Sequence, residues 1–313
     1  MGQYWSLIYP PTAVLTEDNL TDQSGKVFII TGGSSGCGLE LASILYMHNA
    51  RVYIAARSKA TADEAITTIK QRHPGSSGEI KFLHLDLSDL TTIKKSATEF
   101  LSKESRLDVL WNNAGVMWPP QGSVTAQGYE LQLGTNNVGH FLFTRLLYPL
   151  LVKTAKSSPT ATVRVVWVSS AAALRAPNPA VDFANMDYHN DESPQQKYAR
   201  SKAGNVLHAC EMARLAKTDG IISVSLHPGL LMTNLQRYIP SWQVSLFGLV
   251  AYPAKYGAYT ELYAGLHDDV TQEHNGAWLL PWGRIVPARK DLADAALGRQ
   301  YWEWSENQIK AYL

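Results

Sequence analysis

The 313-residue chain is 45% apolar with a formal net charge of +1, which is enough apolar material for a sizeable core. Its charges are scattered rather than blocked, which argues against nucleic acid as a partner and against a polybasic membrane-binding patch, and favours a small neutral ligand. Cys37 and Cys210 are its two cysteines. They exclude a disulfide framework, carry no metal-ligand spacing, and fit a reducing, cytoplasmic setting.

The N-terminal arm, residues 1–23, contains YWSLIYPP but no basic n-region and no long apolar core, so it does not read as a secretory signal. MGQYWS matches the short acylation pattern at Gly2, and the plain reading beside it is an apolar arm. From residue 24 to 313 the chain reads as one domain, with no Pro/Gly/Ser linker in its first 230 residues. KVFIIT (26–31) predicts a strand that runs into the glycine cluster TGGSSGCG, and LELASILYMH (39–48) continues at helical spacing. RVYIAA (51–56) is a second strand, and Ala62, Ala65, Ile66 and Ile69 mark a helix over 59–72.

The alternation goes on through strands at 80–86, 107–112, 162–170 and 222–228 and helices near 89–104, 125–154 and 194–217. Strands separated by helices of this length need crossovers, which place helices on both faces of a doubly wound parallel sheet. Residues 229–254, rich in Leu, Tyr, Trp and Phe and broken by Pro240 and Pro253, interrupt the pattern and predict a small helical substrate cap. The apolar run VSLFGLVAY (244–252) is about half the ~20 residues a transmembrane helix needs. The long helices near 125–154 and 194–217 offer either the interface of a homo-oligomer or surfaces that pack only within the monomer.

In TGGSSGCG, Gly32, Ser34, Ser35, Gly36 and Gly38 lie on a strand-to-helix turn where missing Cβ atoms let the backbone approach a pyrophosphate at a helix N-terminus. A structural turn is the bland alternative. The second strand ends in AARSK, so Ala56 stands where an acid would favour NAD, and Arg57, helped by Lys59, would pair with a 2′-phosphate. Asp86 closes the third strand, either toward an adenine or as an ordinary cap. NNAG (112–115), with Asn113, follows the fourth at the edge where such sheets bind ligands. Tyr198 and Lys202, in QKYARSK, share one helix face, and a cation beside a phenol of ordinary pKa ~10 favours its ionised form. Alone, such a pair is mostly a chance surface feature.

The joint order of TGGSSGCG, HLDL, NNAG, a serine pair, YARSK and HPGLLMT resembles the short-chain dehydrogenases/reductases over residues 24–235, in particular the retinol-dehydrogenase-like branch and its fungal members. The resemblance implies a Rossmann-like sheet and NADP(H), preferred over NAD(H), as cofactor. It makes Asn136, Ser170, Tyr198 and Lys202 the catalytic set, with Ser169 as the neighbouring alternative for the serine. Tyr198 would exchange the proton, Ser170 would hold the reacting oxygen, and Lys202 would hold the cofactor ribose and lower the phenol. Asn136 would position a water, and Pro228 and Thr233 would face the cofactor carboxamide. Cys37 departs from the usual residue at its place and carries no redox role. Tyr238, Trp242, Phe247 and Tyr252 of the cap, with Met117 and Trp118, predict an apolar or aromatic carbonyl or alcohol as substrate. A cofactor-binding scaffold and a non-redox lyase or cyclase are the alternatives on the same fold.

Overall fold

A computed structural model describes residues 6–248 and 250–313; the acylation pattern at Gly2 lies outside them. Strands β1 (Val27–Thr31), β2 (Arg51–Ala56), β3 (Glu79–His84), β4 (Val109–Asn112), β5 (Arg164–Val168) and β6 (Ile222–Leu226) are followed by the short pair β7 (Leu231–Met232) and β8 (Tyr252–Pro253), then by β9 (Trp278–Leu280) and β10 (Arg284–Val286). Among the described residues an eight-stranded sheet runs in the order β10-β9-β6-β5-β4-β1-β2-β3. It is parallel except for β10, which pairs antiparallel with β9 along Arg284↔Leu280. The chain reverses direction across the sheet between β1 and β4, which pair through Phe28↔Val109 and Ile30↔Trp111, and ligands bind at such a switch point.

Every residue of β1 is buried, as a strand covered on both faces requires. Phe28 and Ile30 face helices α1 (Gly36–Met47), α2 (Lys59–Arg72) and α7 (Ala254–Leu266), whereas Val27 and Ile29 face α3 (Leu90–Lys103), α4 (His140–Lys156) and α5 (Pro194–Leu215). Each such side chain contributes roughly 1.5–3 kcal/mol through burial. A third apolar cluster joins the outer side of α5 to α8 (Ala295–Ile309), built around Tyr301 of α8 and Trp278 of β9. Residues 6–23 pack along the body through Leu7, Leu15 and Leu20, all buried.

The helix predicted near 125–154 begins later. Residues 124–130 form a bridged turn (Val124↔Glu130), Glu130 caps the helical turn Leu131–Leu133, and a π-helical segment, Gly134–Gly139, leads into α4. The cap contains β7, a 3-10 turn Asn234–Tyr238, α6 (Ser241–Gly248) and β8. Helices α7 and α8 and the edge strands β9 and β10 lie in the stretch for which the sequence pattern names no elements.

Candidate functional site

The carboxyl ends of β1, β2, β4 and β5, together with the cap, enclose a cavity of 1210 Å³. At its floor Thr31 Oγ1 accepts from the backbone N–H of Asn113 (2.8 Å) and of Ala114 (2.9 Å), and Asn113 Nδ2 donates to the Thr31 carbonyl (2.8 Å). Two glycines of the turn are required by space. A Cβ on Gly38 would lie 2.6 Å from Asn113 Nδ2 and 2.8 Å from the Gly32 carbonyl, and Gly32 itself has φ +69° with Ala114 Cα 3.0 Å from where its Cβ would be. Ser35 precedes α1 without a side-chain cap, and the first turn of α1 holds no acidic residue. The free N–H groups and helix dipole there face the cavity that Gly32, Ser34, Ser35 and Gly36 line, as an anionic pyrophosphate requires.

Arg57 is exposed, lines the cavity and forms no ion pair among the described residues. Lys59 does not join it: its ammonium pairs with Asp63 at 2.6 Å, one turn along α2, and Ser58 and Thr61 line the cavity in its place. Asp86 lines the same end, with Oδ1 accepting from the backbone N–H (2.9 Å) and hydroxyl (2.6 Å) of Ser88.

Helix α5 starts at Pro194 behind a capping box made by Ser193 and Gln196. Lys197 pairs with Asp191 (2.5 Å) and Arg200 with Glu192 (2.6 Å), tying the preceding loop to the first turns of α5. Tyr198 and Lys202 are buried at 5% and 3% exposure and line the cavity. The serine neighbours differ in environment. Ser169 is buried and donates to the Lys202 carbonyl at 2.6 Å, whereas Ser170 lines the cavity and hydrogen-bonds the Tyr198 hydroxyl.

Burial pushes the Tyr198 phenol up to about 12, with the Ser170 hydrogen bond pulling the other way. The expected lowering by Lys202 is therefore not seen in the chain alone. Lys202 Nζ donates to the Val168 carbonyl at 2.9 Å and stands 5.7 Å from the tyrosine ring centroid. Burial also lowers the ammonium to about 8, against the pull of the Glu261 carboxyl. Two desolvated groups side by side each favour the neutral form.

Asn136 is fully buried in the π-helical segment. Its Oδ1 accepts from Val116 N–H (2.9 Å), while Nδ2 donates to the Val116 carbonyl (3.0 Å) and Ser201 Oγ (3.0 Å). Its side chain thus pins the loop after NNAG to α5, and any water it positions would have to use its main-chain carbonyl. Asn137 instead donates to the Ser201 carbonyl and Asn205. Pro228 and Thr233 line the cavity. Thr233 Oγ1 caps the 3-10 turn by accepting from Leu235 N–H (3.2 Å), and a Cβ on Gly36 would lie 3.4 Å from Thr233 Cβ.

The far wall combines Met117 and Trp118 with Leu235, Tyr238, Ile239 and Phe247. Two predicted wall residues are elsewhere. Trp242 is 67% exposed and Tyr252 packs on Trp282 at a ring separation of 5.2 Å; the former turns outward from α6 and the latter fills the gap beneath the cap. Arg175 and His227 line the cavity without having been foreseen: Arg175 lies beyond the serine pair, and His227, though it opens HPGLLMT, was given no role.

The family described as short chain dehydrogenase matches residues 26–183. The chain belongs to the short-chain dehydrogenase/reductase family. It is 55% identical over 308 residues to the short-chain dehydrogenase/reductase pkfC of Emericella nidulans, covering 97% of this chain and 98% of that protein. It is 49% identical over 324 residues to a short-chain dehydrogenase/reductase of Phomopsis amygdali, covering 99% and 97%. A solved structure of a Mycobacterium paratuberculosis protein superposes with a TM-score of 0.74 at 29% identity, covering 96% and 98% of the two chains. Membership of this family makes the protein an oxidoreductase of the dehydrogenase/reductase type that uses NAD(P)(H) and a small-molecule substrate. No helix among the described residues is long and apolar enough to cross a membrane.

Proposed function

We propose that the protein interconverts a carbonyl and an alcohol on an apolar small molecule, prefers NADP(H) over NAD(H), and uses Tyr198 as general acid and base. The observation that supports this reading best is the convergence of Ser170, Tyr198 and Lys202 with the glycine turn and Arg57 on one cavity.

The uncapped start of α1 and the space reserved at Gly32 and Gly38 fit a dinucleotide. The turn would hold its pyrophosphate and Asp86 its adenine. Arg57, flanked by Ser58 and Thr61, would hold a 2′-phosphate, Lys202 the nicotinamide ribose, and Pro228 and Thr233 the carboxamide. When bound, the nicotinamide supplies or accepts the hydride.

In reduction the Tyr198 hydroxyl gives its proton to the carbonyl oxygen as charge gathers there, and the Ser170 hydroxyl donates a second hydrogen bond to that oxygen. A phenol held near 12 remains protonated at neutral pH and suits this direction. Lys202, held near 8, is close enough to neutrality to pass a proton onward to Tyr198, with Asn136 positioning the water that reconnects it to solvent. In alcohol oxidation the same groups run in reverse, with Tyr198 receiving the proton. The wall of Met117, Trp118, Tyr238 and Phe247 favours an apolar or aromatic body for the substrate.

The test offers apolar carbonyls with NADPH and with NADH while cofactor absorbance and product are followed together. Alcohol formed in step with NADPH consumed is expected, with NADH much the slower. Product without a cofactor change, or NADPH binding with no turnover of any carbonyl or alcohol, would overturn the reading. Arg57→Ala should raise KM for NADPH about tenfold or more, the worth of one charge-assisted contact, and leave NADH within about twofold; equal losses would remove the phosphate role.

A further inference from the structure

His140 is a buried titratable group, 1% exposed, that the chemistry above does not use. It opens α4 directly after the π-helical segment that carries Asn136, and such segments recur at functional sites. Its Nε2 lies 2.9 Å from Thr31 Oγ1 and its Nδ1 lies 3.2 Å from the Asn136 carbonyl. The ring therefore bridges the end of β1, which anchors the glycine turn, and the backbone of the catalytic segment.

Hydrogen counting fixes its tautomer. A hydroxyl has one hydrogen and two acceptor sites. Asn113 N–H and Ala114 N–H both point at Thr31 Oγ1 and fill its acceptor sites, so Nε2 cannot donate to it as well. The hydroxyl hydrogen goes to Nε2, the nearer partner at 2.9 Å, rather than to the Trp111 carbonyl at 3.2 Å. Nε2 is then an acceptor and the ring hydrogen sits on Nδ1, where it donates to the Asn136 carbonyl. Burial, reinforced by the charge of Lys202, lowers the imidazole to about 3, so it stays neutral at working pH.

Because the Asn136 side chain is spent on Val116 and Ser201, its carbonyl is the group through which it can serve Lys202. The two residues are close: a Cβ on Gly115 would sit 3.2 Å from Asn136 Oδ1 and 3.5 Å from Lys202 Nζ. We propose that His140 is a positioning residue of this site: as its Nδ1–H tautomer it holds the Asn136 carbonyl in the setting that proton return to Lys202 and Tyr198 requires, and it ties that setting to the glycine turn through Thr31. The inference rests on the proton-transfer reading given above.

Isotope-edited NMR of the histidine ring nitrogens tests the tautomer directly in the full chain, with the His140 resonances assigned by their loss in His140→Phe or, where that variant does not fold, in His140→Asn. A protonated Nδ1 and bare Nε2 are expected; a protonated Nε2 would overturn the proposal. In turnover, His140→Phe should lower kcat by about tenfold with KM for NADPH within about twofold, and should enlarge the solvent deuterium effect on kcat. His140→Asn, which returns a donor near the Nδ1 position, should recover kcat to within about threefold of the unmodified protein. Unchanged kcat in His140→Phe, or equal losses in both variants with no change in the isotope effect, would reduce the ring to packing. If Tyr198→Phe retained activity, the underlying chemistry would fail while the tautomer result stood independently.

Discussion

Around the glycine turn, backbone and side chains are cross-braced between strands: Thr31, fully buried, holds the loop of β4 through two N–H groups, and Asn113 returns a bond to β1. The cap is held differently. Its two ends are paired only with each other, along Leu231↔Tyr252 and Met232↔Pro253, and it rests on the body through an aromatic cluster of Tyr252, Tyr256 and Trp282, while Tyr238 and Trp242 remain 44% and 67% exposed. The difference fits a division of labour. On the proposed function, the part of the cavity that would place hydride, phenol and carbonyl within fractions of an ångström sits on strands and buried hydrogen bonds, and the part that would only have to recognise an apolar body sits on a surface segment.

That contrast can be broken most forcefully at Gly38. Gly38→Ala puts a methyl against Asn113 Nδ2 and the Gly32 carbonyl and should weaken NADPH binding by about a hundredfold or more in a fluorescence titration, through loss of backbone contacts worth roughly 1–3 kcal/mol each. Binding within a few fold of the unmodified protein would mean that the turn is not a cofactor cradle.

A smaller effect sharpens the rigid half through pH. Burial raises the fully enclosed Glu261 from its ordinary 4.5 to about 8, against the charge of Lys202. The folded state therefore binds this proton more tightly than the unfolded chain, and the resulting stability is whole below about 4.5 and is lost as pH rises through about 8. Glu261→Gln removes the loss, so its melting temperature should exceed that of the unmodified protein by a margin that grows from acid toward pH 8, reaching about 2–4 °C for each kcal/mol recovered. A margin independent of pH would contradict the assignment.

At the cap the expected effects are smallest. Phe247→Ala should raise KM for an apolar substrate by roughly threefold to tenfold with NADPH affinity unchanged, from lost apolar contact. Trp242→Ala, on the outward side, should leave both unchanged. A Trp242 effect as large as that of Phe247 would mean that the cap closes over the substrate with a different face.

Much of this molecule was legible because its signals are local. The six alternating strands, the helices between them and the turn at Gly32–Gly38 follow from runs of apolar residues and from glycines that leave no room for a Cβ. The choice of Ser170 over Ser169 was not legible in the same way: both end β5, and only the fold turns one toward Lys202's carbonyl and the other toward the cavity. Lys59 looked like a partner for Arg57 by adjacency, but an acid one helical turn away holds it. The depth of burial that raises Tyr198 and lowers Lys202 depends on how distant segments pack around α5, which the residues next to them in the chain do not signal. Trp242 and Tyr252 show the same limit, since aromatic content marks a cap without saying which ring faces inward.

The most direct measurement is single-turnover reduction by Tyr198→Phe, with NADPH bound and a substrate identified by the carbonyl panel. Loss of the proton donor should slow the chemical step by at least about a hundredfold while NADPH affinity stays within a few fold. A rate within about threefold of the unmodified protein, less than about 1 kcal/mol in the barrier, would contradict Tyr198 as the acid and base of this site.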